Sequence, residues 1–209
     1  VATLTELSKL PHPFEHGDSI LAALIERTPK SVDKYPLIRE LWSSYPYSNV
    51  TKHYSSKLES LETQGDQFKA TLLDWNKRSK QTMVAWQWKT TIAELRPIVS
   101  NLTPSDIDSC AVLYAYGRSN FKINQVTKAS QILPKVGKLC KGIHDNVGAK
   151  AWYLTGKSLE RKKMWKEAAQ AYQKIPALYP DHSMADDGYA LAGIGYQESG
   201  DPKKALQMW

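Results

Sequence analysis

The sequence has no apolar run of about 18 residues, so it offers no membrane span. It also lacks the opening of a secretion signal, because VATLTELSKL has neither a basic start nor an apolar centre. Val1 is not a natural start residue, and Trp209 cuts a helical pattern short, so the expectation is a mature or excised piece of a longer protein. No convincing strand alternation occurs, which leaves helices to build the fold. There is no glycine-rich phosphate loop and no nucleophile elbow. Cysteine is scarce. Cys110 and Cys140 have no metal-site spacing, and His53, His144 and His182 are scattered without a Cys or Ser partner. HPFEH, from His12 to His16, matches a zinc-protease pattern, but that chemistry needs both histidines on one face of a continuous helix. Pro11, Pro13 and Gly17 break such a helix, so the stretch reads as a loop or first turn. These absences leave no catalytic residue, no metal site and no cofactor to expect.

What is present is ordinary globular material. The chain has 209 residues, 42% hydrophobic and 23% charged, enough for one elongated domain or two small ones. The net charge of +7 is uneven. Val1 to Ser109 carries thirteen Lys/Arg and thirteen Asp/Glu, whereas Arg118 to Lys174 carries thirteen against Asp145, Glu160 and Glu167 alone. Such a stretch can attract nucleic acid, anionic lipid or an anionic polymer, and the plainer reading is a set of solvated helix faces. No nucleic-acid recognition motif accompanies it, so that partner is not expected.

The chain repeats itself. AWYLTGKSLERKKMWKEAAQAYQKIPALYP aligns with GYALAGIGYQESGDPKKALQMW, pairing Trp152 with Tyr189, Gly156 with Gly193, Leu159 with Tyr196, Ala168 with Ala205 and Tyr172 with Trp209. A fainter copy, CAVLYAYGRSNFKINQVTKASQILPKV, has Gly117 and Ala129 at the same twelve-residue spacing, with Leu133 in place of Tyr172. The order of aromatic, small, large apolar, small and aromatic residues resembles the tetratricopeptide repeat. The small residues let two antiparallel helices approach, and the aromatics fill the space beside them. ESGDP, from Glu198 to Pro202, is the turn of the last copy, with Gly200 at positive φ, Asp201 as cap and Pro202 at the first helical position.

The N-terminal half is helical but irregular. DSILAALIERTPK buries Ile20, Leu21, Leu24 and Ile25 behind an Asp18 cap, and VDKYPLIRELWSSYP places Leu37, Ile38, Leu41 and Trp42 on one face. Further helices are expected in SNVTKHYSSKLESLE and DQFKATLLDWNKR, divided by Gly65, and in TMVAWQWKTTIAELRPIVSNL, interrupted at Pro97. The fold class is therefore all-α, a right-handed superhelix (α-solenoid) of antiparallel helix pairs. Residues 1–104 form an irregular array, and 105–209 form tetratricopeptide-like repeats at about 105–141, 149–182 and 186–209. Cys110 and Cys140 fall at neighbouring helix ends, where a disulfide is geometrically possible, and two inert buried thiols are the favoured state. Arg161, Lys162, Lys163 and Lys166 cluster at an inter-helix turn, either solvated or an edge for an anionic partner. Trp75, Trp86, Trp88, Trp152 and Trp165 could line a ligand surface, but packing between helices is the simpler role, with Trp86 and Trp88 pointing to different faces.

LYAYGRSNF, the two aligned stretches and the connector YPDHSMADDGYALAGIGY together resemble the superhelical N-terminal region of soluble lytic murein transglycosylases, over about half the chain. The resemblance implies a curved, non-catalytic scaffold around cell-wall glycan, with the acid/base Glu in a separate downstream domain. Glu198–Ser199 looks like that family's catalytic pair, but only eleven residues follow Glu198, and a turn supplies no pocket for acid catalysis. No activity is expected of this chain itself. The resemblance implies a peptidoglycan partner and a bacterial periplasm or cell envelope. The alternative is a stand-alone interaction module that grips a peptide or partner helix, which would suit the cytoplasm.

Overall fold

The computed structural model describes residues 6–7, 9–54 and 70–209, with backbone alone at 31–32. Among the described residues there are helices and no strands, and the fold is an α-solenoid of antiparallel helix pairs. Two compact units are present, Val1–Ala85 and Trp86–Trp209.

The first unit contains α1 (Gly17–Arg27), α2 (Ser31–Ser44), a helical segment at 49–54 and α3 (Leu72–Val84). Leu21, Ile25, Ile38 and Leu41, from the apolar stripes read in the sequence, form its core together with Tyr54. Asp18 does not cap α1. The cap position is His16, and Asp18 lies inside the first turn. Its carboxylate accepts the Ser48 hydroxyl at 2.6 Å, which holds Asp18 below the usual carboxylate range. α3 begins in a reciprocal cap between Thr71 and Asp74. Arg39 Nε donates to Asp74 at 2.7 Å and Lys77 pairs with Glu40 at 2.8 Å, tying α2 to α3. Much of the expected helical sequence between 48 and 69, with Gly65, lies outside the described residues.

HPFEH is a turn leading into α1. Its His12–Pro13 peptide is cis, His12 Nδ1 stands 2.6 Å from the Tyr45 hydroxyl, and His16 is exposed in a left-handed backbone. The two imidazoles share no helix face. Among the described residues no three His, Cys, Asp or Glu side chains gather as a metal site. Nor is any described helix long and apolar enough to cross a membrane.

The expected interruption at Pro97 falls elsewhere. The backbone breaks at Trp86, whose φ is 60°, and α4 (Trp88–Val99) carries Pro97 in its last turn. That late in a helix a proline sacrifices little of the hydrogen-bond ladder. α4 packs on α5 (Ile107–Lys122), and the second unit begins at Trp86. It continues through α6 (Val126–Leu139), α7 (Asp145–Arg161), α8 (Trp165–Leu178), α9 (Ala185–Glu198) and α10 (Pro202–Met208), each packed on the next.

The repeat is visible in its turns. Asn124, Lys163 and Gly200 end α5, α7 and α9 with φ of 64°, 57° and 78°. After each, one N–H reaches back to a carbonyl of the preceding helix: Gln125 to Asn120 at 2.8 Å, Met164 to Leu159 at 3.0 Å, and Asp201 to Tyr196 at 2.9 Å. This left-handed ending satisfies carbonyls that the helix leaves open. Asp201 then caps α10 by accepting from Lys204 N, with Pro202 in the first turn.

The packing repeats as well. Gly117 faces the Leu133 side chain, Gly156 faces the Tyr172 ring and Gly193 faces the Trp209 indole. In each case a Cβ would enter the partner's volume, so glycine opens the space that the second helix of the pair fills. Ala129, Ala168 and Ala205 are buried beside these contacts, as is Tyr196. Trp152 lies against Gly137 of the preceding pair. Two aromatics depart from the expected packing. Tyr189 is 47% exposed and Trp209 is 65% exposed. The Trp209 indole meets Gly193 on one side and solvent on the other.

The cysteines are also corrected. Cys110 and Cys140 are joined in a disulfide, with Cα atoms 5.9 Å apart, at the mouth of the α5–α6 pair. Antiparallel pairing brings the start of α5 beside the end of α6, within bridging distance.

Candidate interaction groove

The basic turn singled out in the sequence is partly consumed by the fold. The Arg161 guanidinium stacks 3.9 Å above the Phe121 ring and donates to the Phe121 carbonyl at 3.1 Å. It therefore links α7 to the end of α5. Lys163 supplies the left-handed turn residue, while Lys162 and Lys166 are exposed.

A different set of cations converges on the first helices of the pairs. A groove of about 450 Å³ runs between α5 and α7. Tyr114, Arg118, Phe121 and Lys122 line it from α5. Lys150, Tyr153, Leu154 and Lys157 line it from α7, with Met184 at one end. The lining follows the repeat register. Gly117, Gly156 and Gly193 are 39 and then 37 residues apart. The same steps relate Tyr114 to Tyr153, Arg118 to Lys157, and Lys122 to Arg161. Helical spacing of three and four residues keeps each set on one face.

The electrostatics are one-sided. Lys157 pairs with Glu160 at 3.0 Å and lies 5.8 Å from the Tyr153 ring centroid. Arg118, Lys122 and Lys150 pair with no carboxylate among the described residues. The Arg118 and Lys122 cations instead sit 5.7 and 5.8 Å from the Trp88 ring centroid, so two like charges flank one indole. Trp88 meets Trp86 edge-on at 6.1 Å, and Trp86 is 76% exposed. Burial raises the Tyr114 phenol above its ordinary pKa, so it stays neutral and offers a ring and a hydroxyl. Burial also pushes Tyr179 up to about 12, with its hydroxyl donating to the Gly137 carbonyl at 2.6 Å. The groove holds aromatic faces, hydroxyls and open positive charge. It holds no nucleophile–base pair and, among the described residues, no ligand cluster for a metal.

None of the four groove cations was singled out in the sequence. Their signal was the 39-residue register that pairs Tyr114 with Tyr153 and Arg118 with Lys157.

Residues 150–182, which span most of α7 and all of α8, match the family model of the tetratricopeptide repeat. The fold is that of a tetratricopeptide-like helical protein. Solved structures agree. Two crystal structures of MamA align at 19% identity over 78% of this chain and 91% of the other (TM-score 0.54), and at 18% over 93% and 89% (TM-score 0.56). A structure of YrrB, described as a TPR protein with an unusual peptide-binding site, aligns at 18% identity over 90% of this chain and 88% of its own, with TM-score 0.59. At these identities the likeness is one of fold. No curated protein matches the sequence.

These matches support a tetratricopeptide-like helical fold and lend no support to the transglycosylase scaffold. The matched segment contributes Lys150, Tyr153, Leu154 and Lys157 to the groove.

Proposed function

We propose that this chain is a protein-interaction module that holds an extended peptide segment of a partner between α5 and α7. The observation that carries the proposal is the groove itself, where part-exposed tyrosines repeat in register on adjacent pairs and Arg118, Lys122 and Lys150 have no carboxylate partner among the described residues. The tyrosine rings pack partly against the core, and part-exposed aromatic groups beside cations suit peptide recognition. The likeness to YrrB supports the same reading by analogy of fold.

The test is a random-peptide library selected against the full chain. Selected peptides should lose about tenfold or more in affinity with Lys150→Ala/Tyr153→Ala. The exposed Lys138 lies outside the groove, and Lys138→Ala should leave affinity unchanged. Undiminished binding by the groove variant would place the site elsewhere.

The setting follows as part of the proposal. The Cys110–Cys140 bond supports an oxidising compartment such as a cell envelope. Alkylation of the protein in intact cells, before lysis, should find both thiols blocked. Two free thiols there would remove this support.

A further inference from the structure

The groove changes character along the stack, and the change points to the kind of peptide it takes. We infer, building on the interaction-module reading, that the ligand is bipartite: an acidic segment over α5 and α7, followed by an apolar side chain over α9.

At the Trp88 end, Arg118 and Lys122 flank the indole with no carboxylate partner among the described residues. Lys150 continues the positive charge onto α7, beside Lys157, which is paired with Glu160. One repeat further on, the same register holds no cation. Lys150 is succeeded by Asp187, Tyr153 by Ala190, Lys157 by Ile194, and Arg161 by Glu198. All four of these α9 residues are exposed, Ile194 at 46%. The register is structural as well as sequential, since Gly193, next to Ile194, meets Trp209 as Gly156 meets Tyr172.

An acidic segment is attracted to α5 and α7 by charge complementarity. It is repelled from α9 by Asp187 and Glu198, and repulsion at one end fixes placement as firmly as attraction at the other. Between those carboxylates, Ala190 and Ile194 offer an uncharged patch for one aliphatic side chain. Met184, at the junction of groove and α9, continues the apolar path.

The experiment uses three fluorescein-labelled octapeptides, each made in both chain directions. One is Asp-Glu-Asp-Glu-Gly-Gly-Leu-Leu, one ends in Asp-Glu instead of Leu-Leu, and one replaces the four acids by lysines. Anisotropy is read with the full oxidised chain at low and high salt, and far-UV circular dichroism checks that each variant is folded. The bipartite peptide should bind at least about tenfold tighter than the lysine peptide, and salt should weaken it. It should also bind severalfold tighter than the uniformly acidic peptide. Arg118→Glu/Lys122→Glu should remove the preference for acid. Ile194→Glu should bring the bipartite peptide down to the level of the uniformly acidic one.

Equal binding of bipartite and lysine peptides overturns the inference. Equal binding of bipartite and uniformly acidic peptides overturns its apolar half. If none of the three binds while library-selected peptides still do, the inference falls and the interaction reading stands. If groove substitutions affect neither set, the interaction site falls as well.

Discussion

Replacing Gly156 with alanine adds one methyl group in the middle of α7. On an open helix that exchange stabilises by about 1 kcal/mol. Here the methyl would meet the Tyr172 ring, with Cδ1 at 2.7 Å and Cε1 and Cζ nearer still. Tyr172 is 0% exposed and packed among Ala149, Ala168 and Ile175, so the ring has no open side to move into. Overpacking of this kind costs about 1–3 kcal/mol, and a trapped ring belongs at the upper end. The helix gain offsets a part, leaving a net loss of about 2 kcal/mol. The same substitution at the two equivalent glycines should behave differently. At Gly117 the neighbour is Leu133, with Cδ2 at 2.7 Å; it is buried but can change rotamer, so the net loss is about 0–1 kcal/mol. At Gly193 the neighbour is the exposed Trp209, which can swing away, so the change is neutral or stabilising by up to about 1 kcal/mol.

The assay is urea unfolding of the three single variants, followed by far-UV circular dichroism and compared by midpoint at constant m-value. The expected order of stability is Gly193→Ala, then Gly117→Ala, then Gly156→Ala. A companion variant, Gly156→Ala/Tyr172→Leu, removes the ring that the methyl meets. It should lose less than the sum of its single changes, because contacting residues are coupled. Equal losses at Gly156 and Gly193 would refute the reasoning, because they would show that the burial of the partner does not set the cost.

Lys163→Gly should stabilise by about 0.5–1 kcal/mol, since a left-handed backbone costs an ordinary residue about 1–2 kcal/mol and glycine returns part of that as chain entropy; a rise in melting temperature checks it, and a fall refutes it. Loss of the Cys110–Cys140 bond, which spans 30 residues, should destabilise by about 3–4 kcal/mol on loop-closure grounds, seen as a shift in urea midpoint between oxidised chain and Cys110→Ala/Cys140→Ala; coincident curves would refute it. Burial acts to raise Asp74, but hydrogen bonds from Arg39 and Thr71 outweigh it and hold the carboxyl below its ordinary value of 3.8. The resulting stability is present above that value and fades as pH falls through the lower folded one. Asp74→Asn should therefore cost about 1–3 kcal/mol at pH 7, with the gap to the parent chain narrowing in acid; a gap independent of pH would refute it.

The legible parts of the fold are those where local chemistry leaves one solution. ESGDP declared its turn because Gly200, Asp201 and Pro202 each suit one position of a helix ending and a helix start. The glycines at 117, 156 and 193 declared the repeat because a bulky neighbour needs the room. Lys163 did not declare its turn, since nothing in a lysine favours a left-handed backbone; register with Gly200 imposes it. The break at Trp86 was hidden for the same reason, and Pro97 misled because a proline late in a helix sacrifices little. The cysteine pair was half legible. Antiparallel helices brought the residues together on paper, but sequence alone could not choose between two thiols and a bond.

The groove was harder to read because its residues are dispersed. ERKKMWKE drew attention as a local run of charge, yet Arg161 is committed to Phe121 and Lys163 to the turn. Arg118, Lys122, Lys150 and Lys157 are isolated in the sequence and become neighbours only when two pairs stack. α9 shows that this face is free of the fold's demands. At the same register it carries Asp187, Ala190, Ile194 and Glu198, while its opposite side keeps the buried Ala192, Gly193 and Tyr196 required for packing. Three copies of one helix therefore agree where they touch their neighbours, while on the groove face α5 and α7 match and α9 differs. Packing explains the agreement. It cannot explain the difference, and that is why the exposed register, rather than the glycines and aromatics that first reveal the repeat, is the place to look for what this chain binds.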